Sequence, residues 1–309
     1  MLLSEISAGN GPLAVATVDR VMRSHPLIPR LQFYPMVGNA DSVRKASAAT
    51  GGTVRALDAS YSDNIVTPAF ATPTLKIVGD EIKTDQAHER RGRDIVSVRT
   101  NDLDTFAMRL AKSLANYAVN GTGASDQPTG LKTLTPASQK FYANSSSAAL
   151  TIESGNTDAK VSAFATLSEK LQYGIELVDG GAEVIIMSSA MVSRVTSILK
   201  QSVQWVQNEW GMLVPMFNGI PIVSAGYTNA GAQIIAGNET HGTITGTCYS
   251  VYFARFGQER DVTIATNTGL NVTDKGLVGS HYVYNVEFDM EFALQNDKAI
   301  AKLEGLKLA

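Results

Sequence analysis

The residues with the clearest chemical potential are two serines in motifs that serine β-lactamases and penicillin-binding proteins use. Ser197 and Lys200 match Ser-x-x-Lys, and Ser62-Asp63-Asn64 matches Ser-Asp-Asn. In those enzymes the serine is the nucleophile and the motifs follow in the opposite order, with a Lys-Thr-Gly motif completing the set. No Lys-Thr-Gly is present here. Two short matches in a chain of 309 residues are expected by chance and do not predict an enzyme.

Other chemical signatures are also missing from the sequence. The four histidines (His25, His88, His241 and His281) are far apart, and no pair has metal-ligand spacing on one helix. Cys248 is the single cysteine, which excludes an intrachain disulfide and a cysteine-rich metal site. Gly121-Thr122-Gly123 follows a predicted helix, whereas a dinucleotide-binding turn lies between a strand and a helix. We therefore predict no catalytic, cofactor-binding or metal-binding residues and no cofactor.

The composition is that of an ordinary globular protein. Hydrophobic residues make up 44% of the chain and charged residues 18%, which suits one large domain or two smaller ones. The net charge of −3 argues against a protein that grips nucleic acid through phosphates. No apolar run approaches the roughly 20 residues that cross a membrane, and the N-terminus lacks the pattern of a secretory signal.

The strongest structural signal is an amphipathic helix over residues 101–120. Its apolar residues recur at spacings of three and four, which indicates one buried face. Asn101 is a candidate N-cap, and Gly121 and Gly123 end the helix. From Asp102 to Val119 the helix would be roughly 27 Å long. The predicted buried residues are Leu103, Phe106, Ala107, Leu110, Leu114 and Ala118.

A second strong signal is a long alternating strand near the C-terminus. Between Tyr282 and Phe292, apolar residues alternate with polar ones, broken only by Val283 on the polar face. The strand would extend roughly 36 Å, longer than most strands in globular domains, and could lie along the long helix. A last short strand is expected over Lys298–Leu303.

The middle of the chain predicts a central sheet flanked by helices. A helix capped by Thr157 or Asp158 precedes a buried strand, and a second helix capped by Ser188 or Ser189 follows it. The order of elements is typical of an α+β protein. The predicted strands are Glu183–Met187, Gly219–Ser224, Gln233–Ala236 and Tyr249–Phe256.

The N-terminal third lacks clear periodicity. Residues 1–40 contain Pro12, Pro26, Pro29 and Pro35 and are expected to form an extended arm, with a short helix near Val15–Met22. Residues 52–57 and 71–78 are predicted as the two strands of a long hairpin.

Three sets of residues are candidates for contacts between subunits. Apolar residues of the hairpin segment cannot bury one another, so they either reach a neighbour or fold back on their own domain. The arginines of a charged stretch form either a solvated connector or inter-subunit ion pairs, because the surrounding charges have mixed signs. Two tryptophans are core or interface anchors rather than a cofactor site. The residues are Tyr61, Ile65, Val66 and Phe70; Arg90, Arg91 and Arg93; and Trp205 and Trp210.

Several motifs together resemble those of tailed-bacteriophage major capsid proteins. The long helix continues into Asn120-Gly121-Thr122-Gly123 and then Gln127-Pro128-Thr129-Gly130-Leu131, and Gly219-Ile220-Pro221-Ile222-Val223 follows in the expected place. The resemblance runs from about residue 51 to the end and rests on the order of the elements. That capsid fold is shared with encapsulins and herpesvirus capsid floor domains.

The resemblance implies an α+β fold with four parts. An N-terminal arm and lead-in would occupy residues 1–50, and an extended hairpin loop residues 51–85. A peripheral domain, with spine helix 101–120 packed on the long strand, would comprise residues 86–131 and 268–309. An axial domain, a central sheet flanked by helices, would occupy residues 132–267.

The function that the resemblance implies is self-assembly into an icosahedral shell around double-stranded DNA. The chain would form pentamers and hexamers in the host cytoplasm and remain in the virion capsid, enclosing DNA without sequence-specific binding. Its other expected partners are a portal and a separate scaffolding protein, with a decoration protein as a further candidate. The alternatives are an encapsulin-type bacterial shell, a soluble α+β enzyme, and a tail or decoration protein.

Two departures from the family pattern lead to further expectations. Many family members begin with a charged helical scaffolding segment. Here Met1 lies too close to the expected arm to leave room for one, so we expect scaffolding to be either a separate protein or unnecessary. Some members also form a lysine–asparagine crosslink helped by a buried glutamate. The segment 46–75 contains no lysine, and Lys45 and Lys76 flank it, so Glu287 and Glu291 have no evident nucleophile to serve. We predict no covalent crosslinking.

Overall fold

The structure is a computed structural model of the chain that combines helices with three sheets. It describes residues 1–39, 42–45, 54–61, 69–153, 157–200, 202–207, 213–257 and 261–309. Among the described helices, none has the length and apolar character needed to span a membrane.

The first 36 residues are folded onto the core, so the expectation of an extended arm is wrong. Helices α1 (Leu3–Ile6) and α2 (Pro12–Ser24) precede the short strands β1 (Phe33–Pro35) and β2 (Val43–Lys45). Pro12 is the first residue of α2, where its fixed φ and missing N–H favour a helix. The buried side chains of this segment include Leu3, Ala14, Val18, Val21, Leu27, Ile28 and Phe33.

The two strands expected for a long hairpin are only partly present. Residues 54–57 are not a strand, and residues 52 and 53 lie outside the described residues. Instead, β3 (Ala69–Ala71) pairs with β2, and β4 (Lys76–Asp85) begins within the predicted second strand and runs seven residues beyond it. The second strand of the expected hairpin is therefore present as part of β4, which pairs with a long strand near the C-terminus.

The long helix α4 (Ile95–Asn120) follows a single helical turn, α3 (Ala87–Arg90). It begins six residues earlier than predicted, because Asp94 rather than Asn101 is the N-cap and accepts a hydrogen bond of 3.1 Å from the amide of Val96. Its 26 residues correspond to about 39 Å. The predicted face is buried, with Phe106 only partly so.

The glycine-rich turn after α4 brings two backbone segments into contact. The amide of Gly130 donates to the carbonyl of Gly121 at 2.8 Å. A Cβ on Gly121 would lie 2.1 Å from the carbonyl oxygen of Pro128, and one on Gly130 would lie 2.5 Å from the amide of Gly121. Only glycine allows this approach. The Asn-Gly-Thr-Gly and Pro-Thr-Gly motifs thus have a local structural cause.

The remaining predicted elements are present in the predicted order, with one exception, and further elements that the sequence did not predict lie among them. The expected strand Gln233–Ala236 is absent, because Gln233 makes only an isolated bridge to Tyr227. Ser188 caps the helix after the buried strand. The elements are α5 (Leu131–Leu134), β5 (Lys140–Tyr142), β6 (Leu150–Ile152), α6 (Asp158–Leu177), β7 (Val184–Met187), α7 (Ser189–Ile198), β8 (Val203–Gln207), β9 (Leu213–Phe217), β10 (Ile220–Ser224), β11 (Glu239–His241), β12 (Ile244–Ala254), β13 (Val262–Thr266), β14 (Leu270–Val278), β15 (His281–Leu294) and β16 (Ile300–Leu308).

The ribbon sheet is the five-stranded sheet built around the long strand β15. On one side β15 pairs antiparallel with β14 and then β13, and on the other side it pairs antiparallel with β4. β1 adds to β13 in parallel. The predicted alternation of β15 is confirmed over Val286, Phe288, Met290 and Phe292, which are buried, and Val283 is buried on the opposite face.

The central sheet has nine strands in the order β5-β16-β12-β7-β10-β9-β8, with β11 on β12 and β6 on β16. Alternate residues of its strands enter two different cores. Val184 and Ile186 of β7 face the core that contains α2, α4 and the ribbon sheet, whereas Ile185 and Met187 face the core under α6 and α7. This arrangement matches the predicted central sheet flanked by helices.

Candidate assembly surfaces

The first candidate surface is the basic turn, which we define as residues 86–94. Arg90, Arg91 and Arg93 are all exposed there. The backbone of the turn is anchored to the ribbon sheet, because the amide of Gln86 donates to the carbonyl of Ser280 at 2.9 Å. The three arginines are thus presented to solvent from an ordered turn.

Two carboxylates organise the ends of the basic turn. Hydrogen bonding from the amide of Ala87 lowers the pKa of Asp85. The hydroxyl of Ser97 and the amide of Val96 lower the pKa of Asp94, which caps α4. Both carboxylates are therefore ionised at neutral pH, and the turn has charges of both signs, as the sequence predicted.

The second candidate surface lies in the segment that precedes β4. The side chain of Tyr61 is 64% exposed, with the Arg55 guanidinium 5.2 Å from its ring centre, and Phe70 is 55% exposed. Ile65 and Val66 lie outside the described residues. The exposed rings leave apolar area available for a contact with another molecule.

The third candidate surface is the hairpin formed by β8 and β9 at the end of the central sheet. Trp205, Val206 and Leu213 are exposed, with Trp205 at 58%. Trp205 stands opposite Pro215 in the register of the hairpin. Trp210 lies outside the described residues. The described tryptophan is thus on the surface, which excludes a core role and leaves the interface alternative. The three candidate surfaces lie on separate elements.

A polar cavity of about 570 Å³ lies beside the glycine-rich turn. Lys45, Lys76, Glu291 and Asp297 all line it. The carboxylate of Glu291 accepts hydrogen bonds from the amides of Thr129 at 2.7 Å and Phe292 at 3.0 Å. Lys45 lies 3.9 Å from Asp297. The two lysines that flank the loop segment are therefore near a buried glutamate, a proximity that sequence spacing did not reveal.

A buried ionic cluster, which the sequence did not predict, links the strands β11, β12 and β16 of the central sheet. The Nε2 of His241 lies 2.9 Å from Glu239, and the hydroxyl of Ser250 donates to the same carboxylate. The ammonium of Lys302 lies 2.8 Å from Glu304 and 3.7 Å from Glu239. The sequence did contain a signal for this cluster, because Lys302 and Glu304 are two residues apart on the apolar strand β16 and therefore lie on the same face.

The electrostatics of this cluster keep Glu239 charged. Burial opposes its ionisation, but the hydrogen bond from His241, the charge of Lys302 and hydrogen bonds from Ser250 and Lys132 hold the pKa of Glu239 far below its ordinary value. The amide of Gly305 donates to Nδ1 of His241 at 2.9 Å, so Nε2 bears the proton that points to Glu239. Each side chain of the cluster has a hydrogen-bond or ion-pair partner within it. These contacts connect β16 to β11 and β12.

Neither of the two serine motif matches gains support from the described residues. Ser197 of the Ser-x-x-Lys match donates to the carbonyl of Arg194 at 2.9 Å, and Ser62-Asp63-Asn64 lies outside them. Within the ranges that the structure describes, no group of three or more His, Cys, Asp or Glu side chains could hold a metal ion. Of the four histidines, His25 and His241 are buried and hydrogen-bonded rather than on the surface.

Comparison with known proteins identifies the fold. No family model matches the chain, and no curated protein sequence matches it. Among solved structures, the holo-SrpI encapsulin complex from Synechococcus elongatus PCC 7942 is 14% identical, with a TM-score of 0.59 over 91% of this chain and 87% of that one. The capsid of an empty GTA particle is 17% identical, with a TM-score of 0.59 over 93% and 90%.

A third solved structure has a similar fold. The procapsid of satellite phage P4 is 8% identical, with a TM-score of 0.56 over 97% of this chain and 92% of that one. At these identities the likeness concerns the fold. The chain has the α+β fold of phage major capsid proteins and encapsulins, and the fold that the motifs predicted is confirmed.

Proposed function

We propose that this chain is the structural subunit of an icosahedral capsid that encloses the double-stranded DNA of a tailed bacteriophage. The observation that supports this most is the extent of the likeness to the empty GTA capsid, which covers 93% of this chain. So large a share means that nearly the whole chain, rather than one part of it, has the fold of that capsid subunit. The function is structural and not enzymatic.

Exposed surfaces on separate elements support self-association. A closed shell needs each subunit to present several different patches to its neighbours, because heterologous contacts close into rings. The basic turn, the aromatic segment around Tyr61 and Phe70, and the hairpin with Trp205 are three such patches. Many modest contacts of this kind add up to a stable assembly.

We infer a division into peripheral and axial parts. Residues 86–131 and 268–309 contain the spine helix α4, the ribbon strands β14 and β15, and also β16 of the central sheet, and they would form the peripheral part. Residues 132–267 contain most of the central sheet and would form the axial part, whose hairpin β8–β9 carries Trp205. Residues 1–36 pack with α4 and belong to the peripheral part.

An encapsulin-type shell with enzyme cargo is the second candidate. The observation that favours it is the likeness to the Synechococcus encapsulin, with the same TM-score as the empty GTA capsid. The phage function implies a portal, a separate scaffolding protein and, as a further candidate, a decoration protein, with assembly in the host cytoplasm. A cargo shell needs neither portal nor genome.

The first test is the mass of the purified full chain by light scattering, with electron micrographs of the same sample. We expect uniform hollow particles in the megadalton range, or pentamers and hexamers that close when a scaffolding protein is co-expressed. Nuclease-protected DNA in native particles supports the phage function, whereas protein cargo without DNA supports the second candidate. A 32.9 kDa monomer that no scaffold can assemble contradicts both.

A paired substitution tests the hairpin surface within that experiment. Trp205→Ser should reduce shell yield because it removes a large exposed aromatic side chain of the hairpin. Tyr227→Ser is the matched control, since Tyr227 is 45% exposed and lies outside the three candidate surfaces. Equal yields from both variants would remove Trp205 from the assembly contacts.

A further inference from the structure

The first two turns of the spine helix lack the packing that holds the rest of it. Leu103 is the first fully buried residue of α4, eight residues after the helix begins. Before it, Val96 is 66% exposed, and Ile95 and Val98 are only half-buried. Residues 95–101 therefore need another means of attachment to the protein.

Arg99 provides this attachment. Its Nη2 lies 2.6 Å from Asp274 of β14, and the guanidinium carbon lies 4.2 Å from the ring centre of Tyr284 and 5.1 Å from that of Tyr282. Within the part of the chain that the structure describes, the other side-chain hydrogen bonds from residues 95–101 stay inside the helix or its cap. We call Arg99, Asp274, Tyr282 and Tyr284 the arginine clasp.

The geometry of the clasp is built into the ribbon sheet. Asp274 stands directly opposite Tyr284, and the register shifts between Asp274 and Gly276, which marks a β-bulge. Bulges redirect side chains locally, and here the carboxylate also accepts the amide of Gly276 at 2.8 Å. Although burial opposes it, these hydrogen bonds lower the pKa of Asp274. The carboxylate is thus ionised and fixed beneath Arg99.

The same ribbon end holds the basic turn. The hydroxyl of Tyr282 donates to Glu89 of α3 at 3.1 Å, so a ring that stacks on Arg99 also contacts the turn. Arg90, Arg91 and Arg93 therefore sit between two fixed points, the ribbon and the start of α4. A change in the clasp would redirect this charged surface without altering the core.

We propose that Arg99 is a positioning residue for shell assembly, which fixes the direction in which the basic turn meets a neighbouring copy of this chain. The proposal rests on the proposed shell function. A residue that packs in the apolar core is expected to contribute mainly to the stability of the fold. Arg99 instead holds residues 95–101, which contribute no fully buried apolar side chain. Its main effect is therefore on orientation and local order.

The test combines amide hydrogen exchange on the unassembled full chain with the size of the assembled particles. In Arg99→Lys, which keeps the positive charge and loses the planar stacking, residues 95–101 should exchange about tenfold faster. Residues 110–118 should be unchanged. Assembly should give fewer closed particles with a broader range of diameters. Arg109→Lys is the matched control, an exposed arginine on the same helix.

Two tyrosine variants separate the contribution of aromatic stacking on Arg99 from that of the hydrogen bond to Glu89. Tyr284→Phe keeps the aromatic face and should behave as the wild type in both measurements. Tyr282→Phe keeps the stacking but loses the hydroxyl contact with Glu89, so faster exchange should be confined to residues 87–90.

Three outcomes would overturn the proposal. Unchanged exchange in Arg99→Lys would mean that the clasp does not hold the helix start. Faster exchange with wild-type particles would mean that the clasp does not position the assembly surface. A wild-type chain that never assembles would refute the shell function, and the exchange data from the unassembled chain would identify that failure as separate from the clasp.

Discussion

The central sheet and the ribbon sheet differ in what surrounds their strands. All four residues of β7 and most of β16 are buried, because at these strands both faces of the central sheet are covered. In the ribbon sheet, most residues of β4 and the second half of β14 are exposed, and ion pairs such as Lys275 with Glu81 at 2.7 Å connect them. The central sheet can act as a rigid body, whereas the ribbon can respond to contacts with neighbours.

The largest expected effect comes from a cavity in the central sheet. Phe253 of β12 is fully buried, and its ring lies against Phe141 and the backbone of Gly174. Phe253→Ala should lower the free energy of unfolding by about 3–5 kcal/mol, measured by urea denaturation. Ile77→Ala in β4, where the side chain is 73% exposed, should change it by less than about 0.5 kcal/mol. Similar decreases in the free energy of unfolding from the two variants would contradict the proposed difference in packing between the two sheets.

The second expected effect concerns the buried ionic cluster. Glu239→Gln should destabilise the protein by about 2–3 kcal/mol at pH 7, because Lys302 and Lys132 lose a charged partner. The folded-state pKa of Glu239 lies below its ordinary value of 4.5, so its contribution is complete above that pH and is lost as the pH falls further.

Urea denaturation from pH 6 to pH 3 checks this prediction. The difference in stability between wild type and Glu239→Gln should shrink below about pH 4.5. Glu153→Gln, which removes a partly exposed carboxylate 3.1 Å from Lys160, is the control. A difference that stays constant across the range would contradict the role of ionised Glu239.

A smaller effect is expected at the junction between the N-terminal helices and the central sheet. The imidazole of His25 is buried, with Nδ1 accepting the amide of Leu27 and Nε2 3.0 Å from the carbonyl of Ala225. Burial lowers the pKa of His25 below its ordinary value of 6.5. The folded state therefore favours the neutral ring, and stability should be lost as the pH falls below about 6.5.

Denaturation midpoints at pH 7.5 and pH 5.5 measure this loss. His25→Gln should show a smaller decrease between the two pH values than the wild type, although its stability at pH 7.5 is lower. His88→Gln in the basic turn should retain the decrease of the wild type. If His25→Gln also retains it, another group is responsible for the acid sensitivity.

The ribbon ion pairs should contribute least. Lys275→Ala removes partly exposed contacts, which contribute little and are screened by salt. We expect a slightly lower denaturation midpoint at low ionic strength and no change at about 0.5 M salt. A salt-independent loss as large as that of Phe253→Ala would mean that the ribbon is as rigid as the central sheet.

A denaturing gel tests whether the polar cavity is chemically inert. Although Lys76 and Glu291 line the same cavity, we still expect no covalent crosslinks, because the segment 46–75 contains no lysine. Boiled mature particles should therefore migrate as a single band at 32.9 kDa. A ladder that persists after boiling and vanishes in Lys76→Arg would contradict this.

The sequence predicted those elements whose packing leaves a periodic pattern. The face of α4 from Leu103 to Ala118 and the alternation of β15 were recognisable because a neighbour covers one regular face. The strand β7 was recognisable because both of its faces are buried, which leaves a continuous apolar run. The N-terminal helix was predicted only over Val15–Met22, because Pro12, read as a mark of extended chain, lies at its first helical position. The polar cluster of Glu239 and His241 was missed because its members converge from β11, β12 and β16, which no local spacing encodes.

The chain order of β15 and β16 has a consequence for synthesis. β15 pairs with β4, β13 and β14, and β16 pairs with β5, β6 and β12. Both strands come after all of their partners along the chain. While the ribosome still holds them, β4 and β14 have no neighbour within the described strands. A nascent subunit therefore cannot complete either sheet until β15 and β16 have emerged.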